Sequence, residues 1–170
     1  PVRMTYQSFR AIQPKTFLFS PYILKEYRNR WFVFGWHEKA KYVVNFALDR
    51  IESAEIVDNE AFIENDEFNP ATYFNEFIGV TKLDGGVQTV RFEASRAEAP
   101  YIRTKPLHHS QRMVERKQDG SVIFEIDVII NQELIRELMG YAEGVKVLAP
   151  ERLARTIRNK FLVGLNQYTP

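Results

Sequence analysis

Arginine, tyrosine and tryptophan interleave between Ser20 and Ile51, SPYILKEYRNRWFVFGWHEKAKYVVNFALDRI, a stretch that holds both tryptophans of the chain. Guanidinium forks match phosphate oxygens and aromatic rings offer stacking faces, so this residue set suits a ligand with both phosphates and flat bases. Tyr22, Tyr27, Arg28, Arg30 and Trp31 precede or open an apolar run, and Arg50 follows the next one. Tyr6 and Ser8 share one face of an earlier alternating run, and closure of a small barrel would bring all three groups together. The candidate ligand-binding set is therefore Tyr6, Ser8, Tyr22, Tyr27, Arg28, Arg30, Trp31 and Arg50, with Arg3 and His37 second in rank. The competing reading makes Trp31 and Trp36 core, Arg28 and Arg30 a solvated strand end, and Asp49-Arg50 an ion pair that fixes the end of a strand.

Catalytic chemistry finds little support. His108 and His109 are adjacent, which on a strand turns them to opposite faces and denies them a shared metal. The third histidine, His37, falls in an expected hairpin loop. Ser110 lacks the glycines of a nucleophile elbow, and Asp84-Gly85-Gly86 lacks the lysine and spacing of a phosphate loop. The chain has no cysteine, which removes disulfides, thiol catalysis and thiolate metal sites. Neither an enzyme activity nor a cofactor is expected.

The elements that must carry these residues read as two units. Val2–Ser8 alternates, TFLF leads into Pro21, Trp31–Trp36 and Tyr42–Leu48 flank a polar connection, and Ile51–Val57 alternates again. Five short strands of this kind imply a small β-barrel of the Sm or SH3 type. A connection follows over 58–66, and Asn69-Pro70 reads as the cap and first position of a short helix reaching Gly79. After Asp84-Gly85-Gly86 come a strand over 87–94 and a helix over 96–104 broken by Pro100. Strands at 109–117 and 122–130 flank Asp119-Gly120. A helix capped by Asn131 and stopped by Gly140, a strand over 145–148 and a helix opened by Pro150 complete the order. β-α-β-β-α-β-α matches a ferredoxin-like unit with one added helix, so the fold class is α+β, with domains at 1–84 and 85–170.

Net charge is +1, yet residues 1–53 hold nine Lys and Arg against four Asp and Glu, while residues 54–84 hold one against eight. A basic first third followed by an acidic band fits a band that neutralises a neighbouring basic face or holds off the wrong partner; a solvated linker fits equally. No apolar run approaches the roughly 20 residues of a membrane span, and no signal-like start is present, which points to a cytoplasmic protein. The opening PVRMTYQSF is already strand-like and reads as a chain entered in the middle of a longer protein.

SPYILKEYRNRWFVFGW followed by FALDRI resembles a WYL domain, with Trp31-Phe32-Val33 at the tripeptide of that name. VRFEA, the Asp-Gly hairpin and VKVLAPERLARTIRNKF are similar to the C-terminal extension, WCX, that follows WYL domains in bacterial helix-turn-helix transcription regulators. LDRI and PERLA, in their order and spacing, carry most of the specificity. The resemblance implies an Sm-like barrel that senses single-stranded nucleic acid or a nucleotide, and a ferredoxin-like unit that dimerises or relays the signal. Duplex DNA would be met only through an N-terminal helix-turn-helix domain that is not in this chain, and a homodimer is implied. The alternative is a protein-interaction or oligomerisation module with no small ligand. Two positions depart from the family pattern: Phe32 lacks the tyrosine hydroxyl, and Val44 stands where an arginine is common.

Overall fold

A computed structural model of the chain describes residues 1–66 and 68–168. Contacts divide it into two units, Pro1–Phe74 and Asn75–Pro170. In the first unit the apolar runs form β1 (Val2–Tyr6), β2 (Lys15–Tyr27), β3 (Arg30–His37), β4 (Tyr42–Ala47) and β5 (Ile51–Ile56). They make one sheet, antiparallel throughout, in the order β4-β3-β2-β1-β5. β4 and β5 are its two outer strands, yet only the 3-10 turn Leu48–Arg50 separates them in sequence. The sheet must therefore coil until its edges approach at that turn. Met4, Phe19 and Val33 fill the concave side, with Phe17, Val44, Phe46 and Ile51 packed around them. On the opposite face of β3, Phe34 is covered edge-on by Phe74 at 5.0 Å and Tyr73 at 5.9 Å. Both faces of this strand are thus apolar, which is why its sequence does not alternate.

Two expectations are corrected here. Tyr22 to Tyr27 belong to β2, which runs 13 residues, rather than to a loop before the first long strand. Pro21 is tolerated because β1 pairs with β2 only up to Phe19, and the register shifts between Pro21 and Ile23. The strand then turns back through Arg28 and Asn29, at φ 51 and 62, the double left-handed geometry of a tight hairpin. The expected helix after Asn69-Pro70 is absent among the described residues: the stretch forms turns. The Asn69 side chain does accept from Ala71 N at 2.9 Å, and Asn69 O accepts from Tyr73 N at 2.8 Å. One turn is all that forms, and the division between the two units falls at Phe74/Asn75, inside this segment.

The second unit holds β6 (Gln88–Ala94), α1 (Ala99–Thr104), β7 (Arg112–Arg116), β8 (Val122–Val128), α2 (Gln132–Met139), β9 (Val145–Ala149) and α3 (Glu151–Leu165). The sheet order is β7-β8-β6-β9, each neighbour antiparallel. Val90, Phe92 and Ala94 on β6 and Phe124, Ile126 and Val128 on β8 point to the side covered by Ile102, Leu134, Leu138, Leu153 and Ile157 of the helices. The other side is polar, and Arg112 bridges Glu125 at 2.7 Å and Asp127 at 2.6 Å. Pro100 sits in the first turn of α1 and opens the helix rather than breaking it. Asn131 caps α2 by accepting from Leu134 N at 2.9 Å, while its Nδ2 donates to Ile78 O and Thr81 O. Glu133 accepts from the Thr81 hydroxyl at 2.7 Å. These bonds fasten 75–81 to α2 and place that segment with the second unit.

Candidate functional site

The 3-10 turn Leu48–Arg50 gathers the chemistry of the first unit. Arg50 O accepts from Gln7 N at 3.0 Å, which holds the turn against the end of β1. The guanidinium carbon of Arg50 then lies 5.4 Å from the ring centre of Tyr6 and 4.8 Å from that of Phe9. Its Nε is buried and makes no hydrogen bond. Beside it, Arg30 Nε pairs with Asp49 at 3.2 Å, half-exposed on both sides. Tyr6 stands edge-on to Phe46 at 4.7 Å, and a stacked series continues from Phe46 to Phe17 at 5.0 Å and from Phe17 to His37 at 4.4 Å. Burial pushes the Tyr6 hydroxyl above the usual tyrosine range, opposed by the Arg50 charge. Burial pushes His37 down, and its Nδ1 accepts from Ala40 N at 3.2 Å, a role only the neutral ring can fill.

The eight expected residues distribute as follows. Tyr6, Arg30 and Arg50 come together through the 3-10 turn. Tyr27 pairs across the hairpin with Arg30, and the Arg28 guanidinium lies 5.6 Å over the Tyr27 ring. Trp31 follows Arg30 on β3 and is 52% exposed, so it is not core. Ser8 sits at the other end of the Arg50 contact, where its hydroxyl accepts from Arg10 N and shapes the turn that carries Phe9. Tyr22 is elsewhere: its hydroxyl donates to Ile63 O at 2.7 Å, and its ring meets Phe68 at 5.1 Å. With Ser20 Oγ accepting from Ile63 N, Tyr22 anchors the acidic connection to β2. Burial, reinforced by Glu64, raises its hydroxyl pKa. Asp49 pairs with Arg30, not with its neighbour Arg50. Of the second-rank pair, Arg3 is exposed on β1, and His37 ends β3 rather than lying in a loop.

Phe9 is the residue that sequence reasoning missed, since a single exposed phenylalanine in a turn carries no periodic signal. The histidine pair also differs from expectation. His108 and His109 lie in a bend before β7, so the alternation of a strand does not apply and their rings meet at 4.1 Å. Among the described residues no group of three His, Cys, Asp or Glu side chains is placed to hold a metal. No helix among them is long and apolar enough to cross a membrane.

Sequence comparison with curated proteins finds no match. Among solved structures, the chain is similar to proteasome accessory factor B/C (PafBC) of Arthrobacter aurescens at 20% identity and a TM-score of 0.42. That match covers 99% of this chain and 25% of the other, so the chain spans a quarter of that protein's length. Family models match in two consecutive blocks, the WYL domain over residues 1–56 and the WCX domain over residues 87–161. The sheet that gathers Tyr6, Arg30 and Arg50 is a WYL domain, and the unit that follows it is a WCX domain.

Proposed function

We propose that this chain is the sensing and dimerisation region of a bacterial transcription regulator, and that its first unit binds single-stranded nucleic acid or a nucleotide. In this reading the five-stranded sheet is an Sm-like barrel, supported by its strand order and by the 3-10 turn between its outer strands. The second unit is ferredoxin-like, supported by the order β7-β8-β6-β9. The observation that carries the ligand assignment is the Arg50 guanidinium set against the rings of Tyr6 and Phe9 with its Nε unbonded, beside Arg30. A phosphate can meet the cations while a base stacks on the exposed Phe9 or Trp31 ring. Occupancy would act on an attached DNA-binding domain only insofar as the ligand binds its two geometries unequally. The reading has no catalytic step.

Fluorescence anisotropy of a labelled single-stranded oligonucleotide at two salt concentrations tests it, with duplex as control. Single-strand binding that weakens steeply with salt is expected. Absence of binding at low salt would sink the nucleic-acid reading. A second reading, an oligomerisation module without a small ligand, draws on the apolar end of α3, where Leu162, Val163 and Leu165 are 44%, 63% and 62% exposed. Light scattering separates the two: a stable oligomer with no oligonucleotide affinity favours the second.

A further inference from the structure

The second unit carries a basic pocket of its own. α1 has six residues, too short to cover the β7–β8 half of the sheet, and a cavity of about 480 Å³ opens between that helix and the β7–β8 hairpin. Arg96, Arg103, Arg116 and Lys117 line it, against the single carboxylate of Asp119. Lys117 is paired with Glu93 at 2.7 Å, and Asp119 is satisfied by the hydroxyl and backbone N–H of Ser121. Arg96, Arg103 and Arg116 have no ion pair or side-chain hydrogen bond among the described residues. The same unit pairs Arg91 and Arg112 with carboxylates on the far face of its sheet, whereas the three guanidiniums that line this cavity have no carboxylate partner among the described residues.

The hairpin glycine contributes to this arrangement. Gly120 has φ +88, and a Cβ there would meet the Arg96 Cγ and Cδ at 3.0 Å, so the bare turn is what lets the Arg96 stem lie along it. Met113, 58% exposed, and Pro100 supply an apolar wall. Three guanidiniums that line one cavity without carboxylate partners suit an anion of more than one charge, and their forks match phosphate oxygens. The cavity lies in the size range of small-molecule sites and holds a nucleotide-sized ligand beside the apolar wall.

We infer that the WCX unit binds a small di- or triphosphate of nucleotide size in this pocket, separate from the face around Arg50. The test is a titration of the full chain with a fluorescent ADP analogue, followed by anisotropy, with inorganic pyrophosphate and adenosine as competitors. The expected result is saturable binding, displaced by pyrophosphate but not by adenosine. R103A/R116A should weaken it by about tenfold or more, as loss of charged contacts to phosphate requires. These arginines are exposed on α1 and β7, so the variant keeps its fold, which circular dichroism checks. Arg50→Ala should leave the affinity of this pocket within about twofold, because Arg50 is not among the residues that line it. No binding at millimolar ligand, equal binding by R103A/R116A, or loss of binding in the Arg50→Ala variant alone would each overturn the assignment. So would a single-stranded oligonucleotide affinity that depends on Arg103 and Arg116 while the ADP analogue fails to bind, since the pocket would then track a nucleic-acid backbone.

Discussion

Arg50→Ala is the substitution that bears hardest on the proposed nucleic-acid site. The side chain makes two ring contacts, to Tyr6 and Phe9, and no hydrogen bond from Nε. Cation–π contacts at partly exposed positions are worth about 0.5–1 kcal/mol each, so the variant should lose roughly 1–2 kcal/mol of stability. The bond from Gln7 N to Arg50 O uses the backbone and survives. Binding should suffer more: a hydrogen bond to a charged group contributes about 1.5–3 kcal/mol, or roughly ten- to a hundredfold in Kd. If Arg50 meets a phosphate, the slope of log K against log salt should also fall by about 0.7, the value for one phosphate of a single strand. Arg50→Lys should keep that slope and still lose affinity, because an ammonium lacks the planar fork. Anisotropy at several salt concentrations reads slope and affinity together, and circular dichroism reports the fold. A folded Arg50→Ala variant with unchanged Kd and unchanged slope would refute the reasoning.

Asn131→Ala should cost the second unit about 2–4 kcal/mol in urea denaturation, since it removes a helix cap and leaves Ile78 O and Thr81 O without their donor. Gly35→Ala should disrupt the first unit selectively, because its Cβ would stand 2.2 Å from Ser20 O and 2.6 Å from Phe19 Cζ. Near-ultraviolet circular dichroism from Trp31 and Trp36 should be lost while helical signal persists, and an unchanged spectrum would disprove the close approach. His37 and His108 are both pushed below the usual 6.5 by burial. Their unfolded forms therefore bind more protons, and Tm should fall as pH drops below about 6.5. A Tm that stays flat or rises from about pH 7 to 5.5 would contradict the neutral roles of these rings.

Legibility in the sequence tracked how local each signal is. Asn131 and Gly140 around QELIRELM, Asp119-Gly120 between two apolar runs, and the alternation in VQTVRFEA each act within a few residues, and all became the expected elements. The hairpin at Arg28-Asn29 was hidden because its flanks, LKEY and RWFV, do not alternate: one face of β3 meets Met4 and Phe19, while the other meets Phe74. That second layer comes from a segment about forty residues on, which no local window contains. The absent helix after Asn69 has a related reason, since the cap bond from Ala71 N forms one turn while the rings of Tyr73 and Phe74 pack on Phe34, far off in sequence. Within the candidate site, the residue types were legible and the groupings were not. Tyr22 and Tyr27 lie on the same strand, yet the register shift after Pro21 intervenes between β1's end and the hairpin, and Tyr22 is drawn to Ile63.

The position of Val44 bears on the role proposed for Arg50 in this chain. Val44 pairs with Gly35 across β3 and shares the concave face with Phe46, which pairs with Val33. An arginine at that place would project beside the Phe17–Phe46 stack, and here an apolar side chain packs there instead. In the proposed site the cation for an anionic ligand would then come from outside the strand, and the 3-10 turn offers one: Arg50 reaches the same ring series from its other end, over Tyr6. The consequence is testable by exchange. If the two positions are alternative sources of one charge, Val44→Arg in an Arg50→Ala background should restore part of the lost oligonucleotide affinity and the salt slope with it. A double variant that folds and binds no better than Arg50→Ala would show that the two positions do not serve a common anion.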